Sequence, residues 1–242
     1  MEISEEELGK LLKNQKKIKT IKKLDLVKTK IEGINIGTKT NGIKYSVREH
    51  RGKWILPLDW EKFFNSLKSR KAIVTFDALI NTGGRINEIR HIEERDVDYD
   101  RNNLTLRITK CKAKKGEAKG KPRTIPISSA FTKRLRKYFK GKNSGEKIGI
   151  LSTPGSNIAL KKGLKSIGIV DYEMYSIHNI RKTHGNWLKV LGNLRIISID
   201  ASEICLRLGH DYNTFLSNYG SSGVMSSEDV QTSKKILDDL YE

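Results

Sequence analysis

The stretch NLTLRITKCKAKKGEAKGKPRTIPIS, residues 103–128, decides the fold class. Its two ends, NLTLRITKCK and KPRTIPIS, alternate apolar and polar residues with the period of two that is typical of half-buried strands. Lys, Gly, Glu and Ala fill the region between them, so the two strands are predicted to form a hairpin. The segments around the hairpin have helical spacing instead. The sequence therefore predicts a mainly α protein with one small antiparallel β-sheet, an α+β fold.

Helical patterns flank this hairpin on both sides. Before it, SRKAIVTFDALINTGG predicts an apolar helix that ends at Gly83-Gly84, and RINEIR begins the next helix. Further along the chain, Asp200 and Glu203 form a capping-box pattern for a helix that Gly209 ends. The other predicted helices cover DWEKFFNSLKS, SSAFTKRLRKYFKG, residues 157–167, SIHNIRKTHGNWLKVLG and SSEDVQTSKKILDDLYE.

The chain is predicted to have three parts. Residues 1–56 form a basic N-terminal arm, which begins with a Lys-rich helical run over residues 5–30. Pro57 marks the boundary to the main domain, residues 57–225. Residues 226–242 form a C-terminal helix with one apolar face. Its apolar docking face would consist of Val230, Ile236, Leu237 and Leu240.

The excess of positive charge indicates which class of partner the protein binds. The 47 Lys and Arg residues outnumber the 28 Asp and Glu residues, which gives a net charge of +19 and favours a polyanion such as DNA. The alternative explanation for this excess of basic residues is a source organism whose proteins are generally rich in lysine. The sequence has no membrane-length apolar run, no signal-peptide core, no CxxC and no zinc-like histidine spacing. We therefore expect a cytoplasmic, DNA-associated protein without a metal or a membrane partner.

The hairpin and the helix 176–192 carry most of the polar residues of interest. The hairpin segment Arg107–Thr124 contains eight basic residues and one acid, so it is expected to be solvated or to lie on phosphate. In the helix, one face is apolar, whereas His178 and Arg181 are three residues apart on a second face that we expect to be exposed. An arginine fork beside a histidine there suits a phosphate. The residues predicted on the apolar face are Ile177, Ile180, His184, Trp187 and Leu191.

Two further positions stand at helix ends. Arg85 follows the Gly-Gly helix break directly, and Glu88 could hold its guanidinium in a local ion pair. His210 lies just past the helix that Gly209 ends, and Tyr219 follows nine residues later. Taken singly, the His178–Arg181 pair and Arg85 fit an ordinary surface role better than a catalytic one, and the stretch around Tyr219 does not decide between packing and catalysis.

Their order along the chain resembles the tyrosine recombinases, the lambda-integrase-like family. The family's first motif, T-G-x-R-x-x-E, resembles Thr82-Gly83-Gly84-Arg85-Ile86-Asn87-Glu88. Its second, H-x-L-R-[HK]-[ST], resembles His178-Asn179-Ile180-Arg181-Lys182-Thr183. Its third, L-G-H followed by a tyrosine nine residues after the histidine, resembles Leu208-Gly209-His210 and Tyr219. The resemblance covers residues 57–225 and implies a tyrosine recombinase catalytic domain. It also implies that residues 1–56 are either a basic N-terminal arm or a reduced DNA-binding segment. The C-terminal helix, residues 226–242, would pack on its own chain or be exchanged between protomers.

The resemblance also implies a reaction and the residues for it. Such enzymes cleave and rejoin DNA at a specific attachment site through a 3′-phosphotyrosine intermediate, as homotetramers and without metal, ATP or another cofactor. The implied catalytic residues are Arg85, Lys112, His178, Arg181, His210 and Tyr219, with Lys115 and Lys119 as alternatives to Lys112. The implied DNA-binding residues are Lys110, Lys114, Lys115, Lys119, Lys121, Arg123 and Lys182.

Two other classes remain open at this point. A type IB topoisomerase or a telomere resolvase would use the same chemistry with a different outcome. A non-catalytic DNA-binding relic is the second of these classes, although every catalytic residue type is present in the sequence.

Overall fold

The computed structural model describes residues 36–38, 44–46, 53–107, 122–219 and 225–241, with the backbone alone for 36–38, 44–46, Thr214 and 217–219. The chain divides into two units, Met1–Arg51 and Gly52–Glu242. In the first unit, β1 (Ile36–Thr38) pairs antiparallel with β2 (Lys44–Ser46). The predicted Lys-rich helix of residues 5–30 lies outside the described residues.

The second unit is mostly helical, which confirms the predicted fold class. No helix in its described ranges is long and apolar enough to cross a membrane. Short 3-10 turns cover Glu94–Asp96 and Tyr172–Met174. The helices and strands follow in the order α1 (Pro57–Ser66), α2 (Arg70–Thr82), α3 (Ile86–Arg90), β3 (Val97–Asp98), β4 (Asn103–Leu106), β5 (Arg123–Pro126), α4 (Ser129–Phe139), α5 (Thr153–Ser166), α6 (Ile177–Asn193), α7 (Ala201–Leu208), α8 (Tyr212–Tyr219) and α9 (Ser227–Leu237).

The predicted hairpin supplies two strands of a three-stranded antiparallel sheet. The strand order is β3-β4-β5, and Leu104 of β4 lies opposite Ile125 of β5. Both of these side chains are buried, as the alternation of apolar and polar residues requires. Arg123, the first residue of β5, lies opposite Leu106, the last residue of β4. Residues 108–121 between the two strands lie outside the described residues.

Helices α2 and α6 form the centre of the core and pack on each other. All five residues predicted for the apolar face of α6 are buried. Trp187 of α6 meets the ring of Trp60 of α1 edge to face, with 6.2 Å between centroids. Phe63 and Phe76 make a second perpendicular pair at 4.9 Å, which joins α1 to α2. This aromatic cluster joins α2 and α6, whose ends carry the first and second motifs, to α1.

The two ends of the second unit close over α6 and α1. Ile55 donates its backbone N–H to Thr183 Oγ1 of α6 at 3.0 Å, and its carbonyl accepts from Trp187 Nε1 at 3.0 Å. Residues 53–56 therefore contact the domain that we predicted to begin at Pro57. At the other end, α9 packs on α1 and α6, and Leu237 is buried. In this structure the C-terminal helix thus lies on its own chain.

This packing predicts that Leu237→Ala lowers the free energy of unfolding by about 2–5 kcal/mol, because a buried leucine is replaced by a cavity. Urea denaturation of the purified chain measures the change. Lys235→Ala is the matched control, since its ion pair with Glu61 is exposed and should contribute under about 1 kcal/mol. An unchanged midpoint for Leu237→Ala would mean that α9 does not pack on its own chain in solution.

Candidate active site

Two left-handed glycines place the first and third motifs. Helix α2 ends at Gly83, with φ of 62°, and α7 ends at Gly209, with φ of 60°. A Cβ on Gly83 would lie 2.4 Å from the ring of His184 and 2.8 Å from Leu208 Cδ2, so the chain needs glycine there for space as well as for conformation. The chain turns sharply after both helices, and these turns carry Arg85 and His210.

Arg181 joins all three motifs. Its Nη1 donates to the carbonyl of Gly83 at 2.8 Å, and its Nη2 donates to the carbonyl of Leu208. We expected Arg181 on an exposed face of its helix, and this is wrong: the residue is only 1% exposed. Its burial is stable because the ends of α2 and α7 offer carbonyl oxygens to the guanidinium, and these bonds set the plane of the fork.

Glu88 holds Arg85 as the sequence predicted. The carboxylate is buried and accepts from Arg85 Nη1 at 3.0 Å and from the Arg85 backbone N–H at 2.7 Å. A second arginine, Arg123, binds the same carboxylate with both Nη atoms at 2.8 Å. Burial raises the pKa of the Glu88 carboxyl, but the bonds and charge of Arg123, the Arg85 backbone and the charge of Arg181 lower it below its ordinary value on balance. Glu88 is therefore a fixed anion among cations.

His210 lies within the electrostatic reach of the other predicted catalytic residues. Burial, followed by the charges of Arg181 and Arg85 and the nearby His178, lowers the pKa of His210 to about 3, against a smaller opposing effect of Asp211. His210 is therefore neutral near pH 7 and acts there as a hydrogen-bonding group. His178 is exposed at the start of α6. The structure thus brings four of the six predicted catalytic residues into one region.

The sequence did not predict a buried pair of side chains, Arg207 and His184, that lies beside this region. Arg207 Nε donates to His184 Nε2 at 2.8 Å, and His184 Nδ1 then donates to the carbonyl of Ile80 at 2.6 Å. Arg207 also donates to the carbonyls of Asn81 and Pro126. Burial and then the charge of Arg207 hold the pKa of His184 well below its ordinary value, so the ring is neutral. The pair ties α7 to α2, α6 and β5, and periodicity gives no signal for it.

The remaining predicted residues are only partly described. Tyr219 is the last residue of α8, and its side chain lies outside the description. Helix α8 packs on α6 and α7, and Phe215 is its buried anchor. Lys182 is buried on α6, with 8% exposed, and Arg123 is engaged by Glu88. The hairpin lysines predicted for catalysis or DNA binding all fall outside the described residues, namely Lys110, Lys112, Lys114, Lys115, Lys119 and Lys121.

Comparison of the sequence with characterised proteins supports the resemblance to the tyrosine recombinases. A search against models of protein families finds no match. A curated protein, the tyrosine recombinase XerA of Saccharolobus solfataricus, is 28% identical over 123 residues, which is 51% of this chain and 40% of that protein. The chain thus matches less than half the length of this relative.

Solved structures show the same fold. A crystal structure of XerA recombinase superposes with a TM-score of 0.53 at 16% identity, covering 78% of this chain and 66% of that one. The Tn1549 transposon integrase in complex with circular intermediate DNA gives 0.53 at 15% identity, covering 76% and 66%. The catalytic domain of bacteriophage HP1 integrase gives 0.50 at 16% identity, covering 70% and 87%. Together with the sequence match, these likenesses confirm the predicted resemblance and the catalytic-domain fold.

Proposed function

We propose that this chain, which has the catalytic-domain fold of the tyrosine recombinases, cleaves and rejoins DNA at a specific site through a 3′-phosphotyrosine. The observation that carries the proposal is the contact of Arg181 with the carbonyls of Gly83 and Leu208, because it joins the three motifs in one place. The net charge of +19 suits a DNA partner. The DNA in the Tn1549 integrase complex supports the same class of partner.

The proposed reaction exchanges one phosphoester bond for another. The Tyr219 oxygen forms a bond to the scissile phosphorus and loses its proton to solvent water, and the bond from phosphorus to the 5′ oxygen breaks. Lys112 gives a proton to that leaving oxygen, which becomes a 5′-hydroxyl. Attack by the 5′-hydroxyl of another strand reverses the step and restores the tyrosine. No net bond energy is lost, so the cycle runs without ATP.

The described residues have defined parts in this reaction. Negative charge gathers on the non-bridging oxygens of the transition state, where Arg85 and Arg181 would act as fixed donors. His178 and the neutral His210 would add hydrogen bonds to the phosphate. We further propose that four protomers assemble on two duplexes, as the resemblance implies.

A nicked suicide duplex tests the proposed function. Such a duplex carries a candidate attachment site and loses a short fragment after cleavage, so the covalent complex accumulates. We expect a protein–DNA band that survives denaturation and vanishes after protease treatment. No adduct on any candidate site would contradict the proposal. Relaxation of supercoiled DNA without a defined site would instead assign the same chemistry to a topoisomerase.

The lysine that protonates the leaving oxygen gives a separate prediction. Lys112→Ala should slow cleavage far more than it weakens binding, and a 5′-phosphorothiolate substrate should restore the rate, because a thiolate leaves without a proton. Lys115→Ala and Lys119→Ala are the matched variants from the same hairpin. Sulfur rescue at either of these, with none at Lys112, would move the role to that lysine.

A further inference from the structure

All three side-chain nitrogens of Arg123 are bound within the protein. Nη1 and Nη2 donate to the two oxygens of Glu88, each at 2.8 Å. Nε donates to the carbonyl of Arg207 at 2.9 Å. The side chain is 12% exposed. A guanidinium used in this way is poorly placed to bind a DNA phosphate, which was our expectation for Arg123 from the sequence.

The position of Arg123 connects three parts of the site. It begins β5, so its backbone is fixed by the pairing with Leu106. Through Glu88 it reaches Arg85, since the same carboxylate oxygen, Oε1, accepts from both guanidinium groups. Through the Arg207 carbonyl it reaches the last turn of α7, which precedes His210. A bidentate arginine–carboxylate pair fixes both orientation and distance, which a single bond does not.

We propose that Arg123 is a positioning residue: it orients the Glu88 carboxylate, and thereby Arg85, for the reaction, and it does not contact DNA. The inference rests on the proposed function. It also gives the hairpin a role beyond its lysines, because the strand that returns from residues 108–121 begins with the residue that holds Glu88.

The test separates positioning from DNA contact. In Arg123→Gln, the adduct-forming rate at saturating protein should fall by between about tenfold and about 100-fold, since a small displacement of a catalytic group can cost on the order of 100-fold. The slope of log affinity against log salt should stay unchanged. A lost phosphate contact would instead reduce that slope by about 0.9 and leave the saturated rate intact, which would overturn the inference.

Two further measurements identify Glu88 as the intermediary. Loss of Arg123 removes a group that lowers the pKa of Glu88, so the acid limb of the pH–rate profile should move to higher pH in Arg123→Gln. In a Glu88→Gln background, Arg123→Gln should reduce the rate of adduct formation little further, because the two changes act through one contact. If the activation free energies lost in the two single variants add up in the double variant, Arg123 acts independently of Glu88, and the positioning role is rejected.

Control variants distinguish a failure of the positioning role from misfolding and from a failure of the proposed function. Arg101→Gln removes an 80%-exposed arginine near the same sheet and should cleave at the unaltered rate. If Arg123→Gln does not fold, as circular dichroism would show, Arg123→Lys replaces it in the same cycle and should give the same non-additivity. No adduct with the unaltered protein would refute the proposed function, whereas full activity of the Arg123 variants beside an active parent would refute only the positioning role.

Discussion

Tyr219→Phe is expected to abolish the covalent protein–DNA adduct and to leave DNA affinity nearly unchanged. The substitution keeps the ring that ends α8 and removes only the hydroxyl that would attack phosphorus. Phenylalanine has no hydroxyl that could attack phosphorus, so the loss should be complete within the sensitivity of a suicide-duplex assay. Affinity measured by fluorescence anisotropy on the same duplex would show that binding survives.

Tyr212→Phe is the matched control because it makes the same change seven residues earlier on the same helix. Tyr212 is 54% exposed and packs beside Phe215, with 6.4 Å between ring centroids. Its hydroxyl has no part in the proposed chemistry, so adduct formation should continue. Adduct from Tyr219→Phe together with none from Tyr212→Phe would transfer the nucleophile to Tyr212.

Arg181→Lys should reduce the cleavage rate by roughly 10²–10³, the loss expected for one oxyanion donor. A lysine carries a point charge on a flexible stem and cannot reproduce the planar fork that binds the carbonyls of Gly83 and Leu208. Binding should fall much less, because the net charge is kept. Single-turnover cleavage at saturating protein measures the effect on catalysis, and a separate affinity measurement gives the effect on DNA binding.

The burial of Arg181 requires a check on folding. Arg85→Lys is the companion variant, because Arg85 is 25% exposed and its buried partner Glu88 keeps both bonds to Arg123. We expect a loss of cleavage on the same scale, about 10²–10³, with an unchanged melting temperature. Arg101→Lys, at an exposed position, should behave as the unaltered protein. Full activity in Arg181→Lys would remove that residue from the proposed site.

Local signals account for the parts of this structure that could be predicted. A left-handed glycine can end a helix whatever the rest of the fold does, so Gly83 and Gly209 were correctly placed. The Arg85–Glu88 pair depends on a spacing of three residues, and the apolar face of α6 depends on helical periodicity. Each of these features is complete within a few turns of the chain.

Long-range partners account for what was missed. Arg123 and Glu88 are 35 residues apart, and Arg207 and His184 are 23 apart, so no period in the sequence links them. An arginine is usually exposed, and Arg181 is buried only because two helix ends bring carbonyl oxygens to it. The nucleophile and the hairpin lysines were located by motif alone, and they stay predictions.

The pairing of the domain's first and last helices also bears on how the chain folds during synthesis. The backbone N–H of Leu58 in α1 binds Asp229 Oδ1 in α9, across 171 positions of sequence. Contacts of such separation slow folding, because a long loop must close before they form. While the ribosome is still adding residues before α9, the surface of α1 that α9 covers has no partner from that helix. We expect nascent chains halted before Ser226 to be protease-sensitive around α1, and protection to arise only once α9 has emerged from the ribosome.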